Sequence, residues 1–497
     1  MAQRIFSVRS ATIRGVEAVP VAVEVVISNG IPSFSIVGMP DAAIQESRER
    51  IRSALRASGF TMPSDKIVVN LAPGALRKSG SGFDLPIALG LLAATGQIDP
   101  ALVDGALVVG ELSLGGDVRS VRGMLAFEKC AQDEGLRLMG GALDAQGIAL
   151  EGLEVLLLER LSHIRQARFT SLPSRVQPDF RARLDFVDVV GHEVAKRALQ
   201  VAAAGRHGVI MVGPPGSGKT MLAQRFASIL PELSEAERIE AALVHSVAGE
   251  DADSVLAGIR PFRAPHHSAT AAGLIGGGSP PRPGEAALAH RGTLFLDELA
   301  EFSSSVLQTL RQPLESGLIR LTRADGVYTF PARFQLLAAT NPCPCGYYGD
   351  PSGKCTCSAS AVQAYQNRIG GPLLDRIDVR IDVWRGEGRE LMRGEVGLSS
   401  DSLREGVERA RSFAARRLAR AGAPPKGMRE LKEACRFDAS VEEFFLSLTE
   451  AHCMSARAIA KTLSLARTLG DLAEKESVGT EEVAEAFGLR FGGGWDS

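Results

Sequence analysis

The twenty residues GVIMVGPPGSGKTMLAQRFA, beginning at Gly208, restrict the fold of this chain more than any other stretch. A short apolar run, a glycine-rich loop and a helical segment follow one another, and Gly213, Gly218, Lys219 and Thr220 fall in the spacing G-x-x-x-x-G-K-[ST]. Glycines let backbone N–H groups curl round phosphate oxygens, and the helix start adds positive potential. Residues Gly213, Pro214, Pro215, Gly216, Ser217, Gly218, Lys219, Thr220 and Met221 are therefore the candidate nucleotide cradle. Lys219 would neutralise β- and γ-phosphate charge, and Thr220 would ligate Mg²⁺. Such a loop sits between a strand and a helix of a parallel α/β sheet. From about residue 188 to 385, apolar strands alternate with helices as that sheet requires.

The partners of a phosphate loop follow in order. GTLFLDELAEF ends an apolar strand in Asp297 and Glu298, at the edge where open α/β sheets bind ligands. Asp297 would hold Mg²⁺ through water, and Glu298 would orient and deprotonate the attacking water. FQLLAATN reads as the neighbouring strand, with Asn341 at its tip to position that water or sense the γ-phosphate. GGPLLDRIDVRIDV puts Arg376 in a tight turn, as an arginine finger reaching a neighbour's γ-phosphate would be, and such a residue works only in an oligomer. Arg457, near the start of a helix in MSARAIAKTLSLART, is a candidate second sensor. Taken singly, either arginine could equally form a surface salt bridge.

A length of 497 residues predicts two to four domains. The boundaries read as an N-terminal α/β domain over 1–168, a linker over 169–187 without periodicity, an ATPase core over 188–390 and a charged helical region over 391–497. In the first domain, VPVAVEVVISNG and PSFSIVG alternate like strands, and Ile44, Ile51 and Leu55 mark one face of a helix. Ser440 and Glu443 read as a capping box in the last region. Net charge is −2, so any polyanion contact must be local rather than a global basic field. No signal peptide is legible, and the longest apolar stretch, LPIALGLLAATGQI, is short of the ~20 residues a membrane span needs. A cytoplasmic location without membrane association is expected.

The motifs DVVGHEVAKRALQVAAAGRHGVIMVGPPGSGKT, FRAPHHSATAAGLIGGGSPPRPGEAALAHRGTLFLDELAEF, ATNPCPCGYYGD and NRIGGPLLDRIDVRIDV resemble those of the Mg-chelatase-like AAA+ ATPases of the ComM/YifB family. That resemblance covers essentially the whole chain. It implies a Lon-protease/S5-like N-terminal domain, an AAA+ core and a C-terminal helical lid. It further implies hexameric rings acting on branched or single-stranded DNA, as an ATP-driven branch-migration helicase in natural transformation. The family pattern also supports the roles given above to Lys219, Thr220, Asp297, Glu298, Asn341, Arg376 and Arg457.

Two insertions resemble family features. The Gly/Pro-rich stretch RPFRAPHHSATAAGLIGGGSPPRPGEAALAH, read as too flexible for a core, is similar to a helix-2 insertion. SGLIRLTRADGVYTFPARF reads as two strands about Ala324-Asp325-Gly326, similar to a pre-sensor hairpin. Such loops line ring pores, which makes His266, His267, Arg320 and Arg323 candidate DNA contacts, although packing between subunits would explain them equally. RKSGSGFDLPIALGLL resembles the surroundings of a Lon-type Ser–Lys dyad. The nucleophile position falls on Gly82, beside Ser81, and the lysine position falls on Leu125, with Lys129 displaced from the pattern. The expectation is a retained fold without proteolysis.

Four of seven cysteines, Cys343, Cys345, Cys355 and Cys357, lie on one loop as two Cys-x-Cys pairs. Four thiolates suit tetrahedral Zn²⁺; a redox-active or merely unpaired cluster is the alternative. Cys130, Cys435 and Cys453 read as ordinary core residues. Three functions compete: a DNA motor, a chelatase-type ATPase that remodels a protein partner, and an ATP-dependent protease.

Overall fold

The computed structural model describes residues 4–144, 150–171, 184–351, 353–385, 397–423, 425 and 427–492. Most of the stretch read as a linker, and the end of the predicted core, lie outside them.

Alternation builds the first sheet. In the strand Glu17–Ser28, Val21, Val23, Val25 and Ile27 point into the core. That strand pairs antiparallel with Arg4–Arg14 on one side and Lys66–Ala72 on the other. The whole sheet has seven strands, in the order Ser33–Val37, Lys66–Ala72, Glu17–Ser28, Arg4–Arg14, Ala106–Val108, Arg137–Gly141, Val155–Leu158. Helix Ala42–Ala57 buries Ile44, Ile51 and Leu55 on one face as its spacing predicts, and the Asp41 side chain caps it by accepting from Ile44 N at 3.0 Å. Helix Asp84–Ala94 is apolar all round because it is buried all round. Its Gly90 lies so close to the sheet that a Cβ there would be 2.8 Å from Val25 Cγ2.

The second sheet is parallel and five-stranded, in the order Phe262–Arg263, Thr293–Leu296, Gln335–Thr340, Val209–Val212, Val379–Asp382. Its three central strands are buried along their whole length, which explains why they read as continuous rather than alternating runs. Val212 is level with Thr340, and Leu296 with Ala338, so the residues that follow all three strands leave from one edge.

The C-terminal part is helical: Ser400–Ala421, Met428–Cys435, Ala439–Ala451, Ala456–Leu472 and Thr480–Phe491. Val407, Leu465 and Leu469 share one core with Val209, Met211 and Leu337, so this part packs directly on the second sheet's layer. Phe186 is fully buried in that same core, with its N–H donating to Ser400 Oγ at 2.9 Å.

Contacts also join the two sheets' layers. Leu125 packs with Leu233, Ala241 and Leu256. The hairpin Leu318–Arg323/Gly326–Pro331 lies against the turn that joins the strands Arg4–Arg14 and Glu17–Ser28 in the middle of the first sheet. Arg77 Nη1 is 3.5 Å from Asp325 Oδ2, Arg14 sits over the Tyr328 ring at 5.8 Å, and a Cβ at Gly15 would stand 2.5 Å from Thr329 O.

Three expectations need correction. The helix Ala439–Ala451 is capped by Asp438, whose Oδ1 accepts from Ser440 N and Val441 N at 2.9 Å, not by a Ser440–Glu443 box. An ionised carboxylate gains from the helix dipole as a serine hydroxyl does not. Cys453 is exposed just beyond that helix, at φ 44°, whereas Cys130 and Cys435 are buried. The Gly/Pro-rich insertion does contribute to a core: it carries the edge strand Phe262–Arg263, and Leu274, Ala286 and Ala287 are buried.

Candidate nucleotide site

The loop after Val209–Val212 follows from its glycines. A Cβ at Gly213 would lie 2.0 Å from Val383 O, and Gly216 and Gly218 take φ of 74° and 89°, a region open to glycine at little cost. The helix Lys219–Phe226 starts immediately afterwards, which aims its free N–H groups at the loop's hollow. Lys219 Nζ donates to Gly213 O at 2.7 Å, Pro214 O at 2.9 Å and Asn341 Oδ1 at 3.3 Å. Burial pushes its ammonium down to about 8, with Asp297 opposing. A phosphate beside it would favour the charged form.

Thr220 Oγ1 donates to Asp297 Oδ2 at 2.8 Å. The two residues predicted to share Mg²⁺ are thus in contact, although 77 positions apart in the chain. Asp297 Oδ1 accepts from Glu298 N at 2.9 Å, and Glu298 itself is held at φ 51°. A left-handed backbone on a non-glycine residue costs on the order of 1–3 kcal/mol, and such strain clusters at functional sites. The structure therefore brings together Lys219, Thr220, Asp297, Glu298 and Asn341 at one sheet edge.

His267 arrives there as well. Its Nδ1 is 3.2 Å from Glu298 Oε2, and its ring lies 4.0 Å from that of His266. In this chain, then, His267 faces the acidic pair, while His266 is exposed and bonded to Ser268 Oγ at 2.8 Å. The signal that could have found the contact is the two-residue strand Phe262–Arg263, which pairs with the acidic strand but is too short to show alternation.

Arg376 and Arg457 lie elsewhere. Arg376 Nη2 bonds Glu315, and Arg457 Nη2 is 3.7 Å from the same carboxylate, with Nη1 3.9 Å from Asp375. The Arg376 carbonyl flanks Gly208, at the opposite end of the strand that leads into the phosphate loop. Arg320 and Arg323 are exposed on the hairpin, three positions apart and so on opposite faces. Ser81 Oγ bonds Glu111, Lys129 bonds Asp133, and Leu125 is buried against the neighbouring layer.

Beside the phosphate loop lies the cysteine loop. The four sulfurs of Cys343, Cys345, Cys355 and Cys357 are all within 4.8 Å of one another. Cys343 Sγ is 3.4 Å from Cys345 Sγ and 3.8 Å from Cys355 Sγ. A tetrahedron with Zn–S bonds of about 2.3 Å has edges of about 3.8 Å, so the donor set fits the ion. A backbone hydrogen bond at Tyr347 helps hold Cys345 down to about 6, whereas Cys355 and Cys357 are pushed up by the neighbouring sulfurs, so one thiolate forms first and a bound metal would displace the remaining protons. The loop abuts the nucleotide cradle: a Cβ at Gly346 would be 2.6 Å from Pro215 Cδ. Arg385, which the motif reading did not single out, donates Nη2 to Pro215 O at 2.8 Å and sits over the Tyr347 ring at 5.5 Å.

Residues 185–391 match the family described as "Magnesium chelatase, subunit ChlI", residues 23–139 match "Subunit ChlI of Mg-chelatase", and residues 397–490 match "Magnesium chelatase, subunit ChlI C-terminal". The "Competence protein ComM" of Haemophilus influenzae is 39% identical, covering 96% of this chain and 95% of its own length. The "Uncharacterized protein YifB" of Escherichia coli K12 is 37% identical, again over 96% and 95%. With relatives covered over 95% of their length and 96% of this chain, the chain belongs to the Mg-chelatase-like AAA+ ATPases of the ComM/YifB family.

Proposed function

We propose that the chain is an ATP-hydrolysing, ring-forming motor that works on DNA, of the branch-migration kind. One observation carries the reading: the phosphate-binding residues gather at one sheet edge, while Arg376 and Arg457 gather on Glu315 near the other. A site split in this way is completed by a neighbouring subunit. Lys219 and the loop backbone hold the phosphates, Asn341 fixes the γ-phosphate or the water, and Glu298 takes the water's proton. Thr220 and Asp297 would hold Mg²⁺, which neutralises charge on the β- and γ-oxygens. Arg376 and Arg457 from the next subunit supply positive charge to the transition state.

The similarity to a competence protein is compatible with DNA as the partner, and the exposed Arg320 and Arg323 offer phosphate contacts. The match to magnesium chelatase subunit ChlI is equally compatible with the second reading, a chelatase-type ATPase acting on a protein partner. ATP turnover measured alone and with linear, forked and four-way-junction DNA separates the two. Branched DNA should stimulate turnover several-fold; stimulation by none of the three would remove the DNA reading. Among the described residues no helix is long and apolar enough to cross a membrane, and a cytoplasmic location accompanies this function.

The reading includes a structural Zn²⁺ on the four clustered cysteines. Purified protein should carry close to one zinc per chain by elemental analysis. Cys355→Ser should release that zinc and lower the melting temperature. It should also weaken turnover more than nucleotide binding, because the loop stands behind Asn341 and against Pro215. Zinc-free protein with full activity would return the cluster to unexplained thiols.

A further inference from the structure

At the opposite edge of the second sheet from the phosphate loop lies a half-open cavity of about 240 Å³. It is bounded where the chain enters the strands Thr293–Leu296 and Gln335–Thr340, and by the helix Ser400–Ala421. Five guanidinium groups, those of Arg206, Arg260, Arg291, Arg333 and Arg411, line it, with one carboxylate, Glu237. Glu237 is already shared three ways: Arg291 at 3.3 Å, Arg260 at 3.5 Å and Arg206 at 3.6 Å. Arg291 also holds Glu240 at 2.6 Å, outside the lining.

Of the four that the fold partners, Arg411 is the least compensated, while Arg333 is exposed. Its Nη2 donates to Ala203 O at 2.6 Å, but its Nε is buried with no hydrogen-bond partner among the described residues. Burial, then repulsion from Arg206 and Arg260, pushes the Arg411 guanidinium down to about 9, and burial lowers Arg260 as well. Two of the five, Arg206 and Arg291, stand on left-handed backbone at φ 58° and 61°. Crowding like charges around a hollow is unfavourable unless an anion sits among them.

The geometry points to a second phosphate-binding site, one that takes a phosphate or diphosphate group through the planar forks of Arg411, Arg206 and Arg333. Guanidinium matches phosphate oxygens bidentately, and the volume is below the ~300–1,000 Å³ of pockets for whole drug-sized ligands. The group can belong to a small phosphorylated molecule or to a nucleic-acid backbone, since the chemistry is the same. The site does not depend on the motor reading: it shares no residue with the nucleotide cradle.

The test uses inorganic pyrophosphate, titrated by calorimetry into full-length Lys219→Ala protein at low salt, so that the nucleotide cradle is disabled. One site per chain is expected. Adding Arg411→Met should weaken it by about tenfold or more, as loss of a charge-assisted pair does, and Arg411→Lys should fall between. Arg411→Met in the otherwise unaltered chain should still bind ATP, which reports folding; if it does not fold, the exposed Arg206→Met gives the same reading. In a second arm, pyrophosphate competes with a fluorescent duplex bound to the wild-type protein. Competition lost in Arg206→Met assigns the site to backbone phosphate, and its absence to a small molecule. No pyrophosphate binding in Lys219→Ala, or binding unchanged by Arg411→Met, overturns the proposal. So does an Arg411→Met protein that loses ring assembly alone, which would make the cavity a socket for a neighbour's carboxylate.

Discussion

Arg376→Ala should lower ATP turnover by about 10³-fold while the same chain still binds ATP normally. Arginine fingers contribute about 10³–10⁵ to kcat by placing charge on the transferring phosphoryl group. Arg376 cannot do so for its own chain in this arrangement: its carbonyl flanks Gly208, a strand length of about 16 Å from Gly213, and its guanidinium is turned to Glu315. The defect should therefore complement. Mixing Arg376→Ala with Lys219→Ala protein creates interfaces at which one subunit binds ATP and the other lends the arginine. Phosphate release from the mixture should exceed the sum of the two parts. If mixed rings form and turnover stays at that sum, Arg376 is not a finger. Arg457→Ala should complement in the same way, because Arg457 shares Glu315 with Arg376.

The second large effect is at Glu298. Glu298→Gln keeps the side chain's shape and removes the base, so Mg²⁺ and ATP should bind with wild-type affinity. Turnover should fall by about 10²-fold or more, in line with the 10²–10⁴ that general-base catalysis contributes. The φ of 51° at this position is equally strained for glutamine, so melting temperature should hardly change. Rapid chemical quench would show bound ATP persisting. Wild-type turnover in this variant would give the role to another group near the γ-phosphate.

The phosphate loop, the acidic strand and the sensor strand were legible because local rules and tertiary placement agree there. Buried parallel strands read as unbroken apolar runs, and a candidate site residue follows each of them directly: Gly213, Asp297 and Asn341. Arg4–Arg14 was harder to see as a strand, since two of its inward residues, Ser10 and Thr12, are polar yet buried. The contact of His267 with Glu298 spans 31 positions and rests on a two-residue edge strand, so no periodicity announces it. The arginine-lined cavity was invisible for a different reason. Its five arginines come from five separate elements or turns, and only the fold makes them neighbours. Asp438 shows the opposite case: its capping signal is local, but Ser440 and Glu443 beside it mimic the spacing of a capping box.

The hairpin Leu318–Pro331 is not a free arm. Its backbone seats on Gly15, where any side chain would collide with Thr329 O, and its turn is fastened through Arg77–Asp325 and Arg14–Tyr328. Each fastening is weak, about 1 kcal/mol or less at such exposure. If the hairpin moves during turnover, as the proposed motor reading requires, it must either carry the seven-stranded sheet with it or first break these contacts and the packing of Val16 beside Leu321 and Tyr328. On that reading the N-terminal layer would set the load on the hairpin and the point at which it lets go.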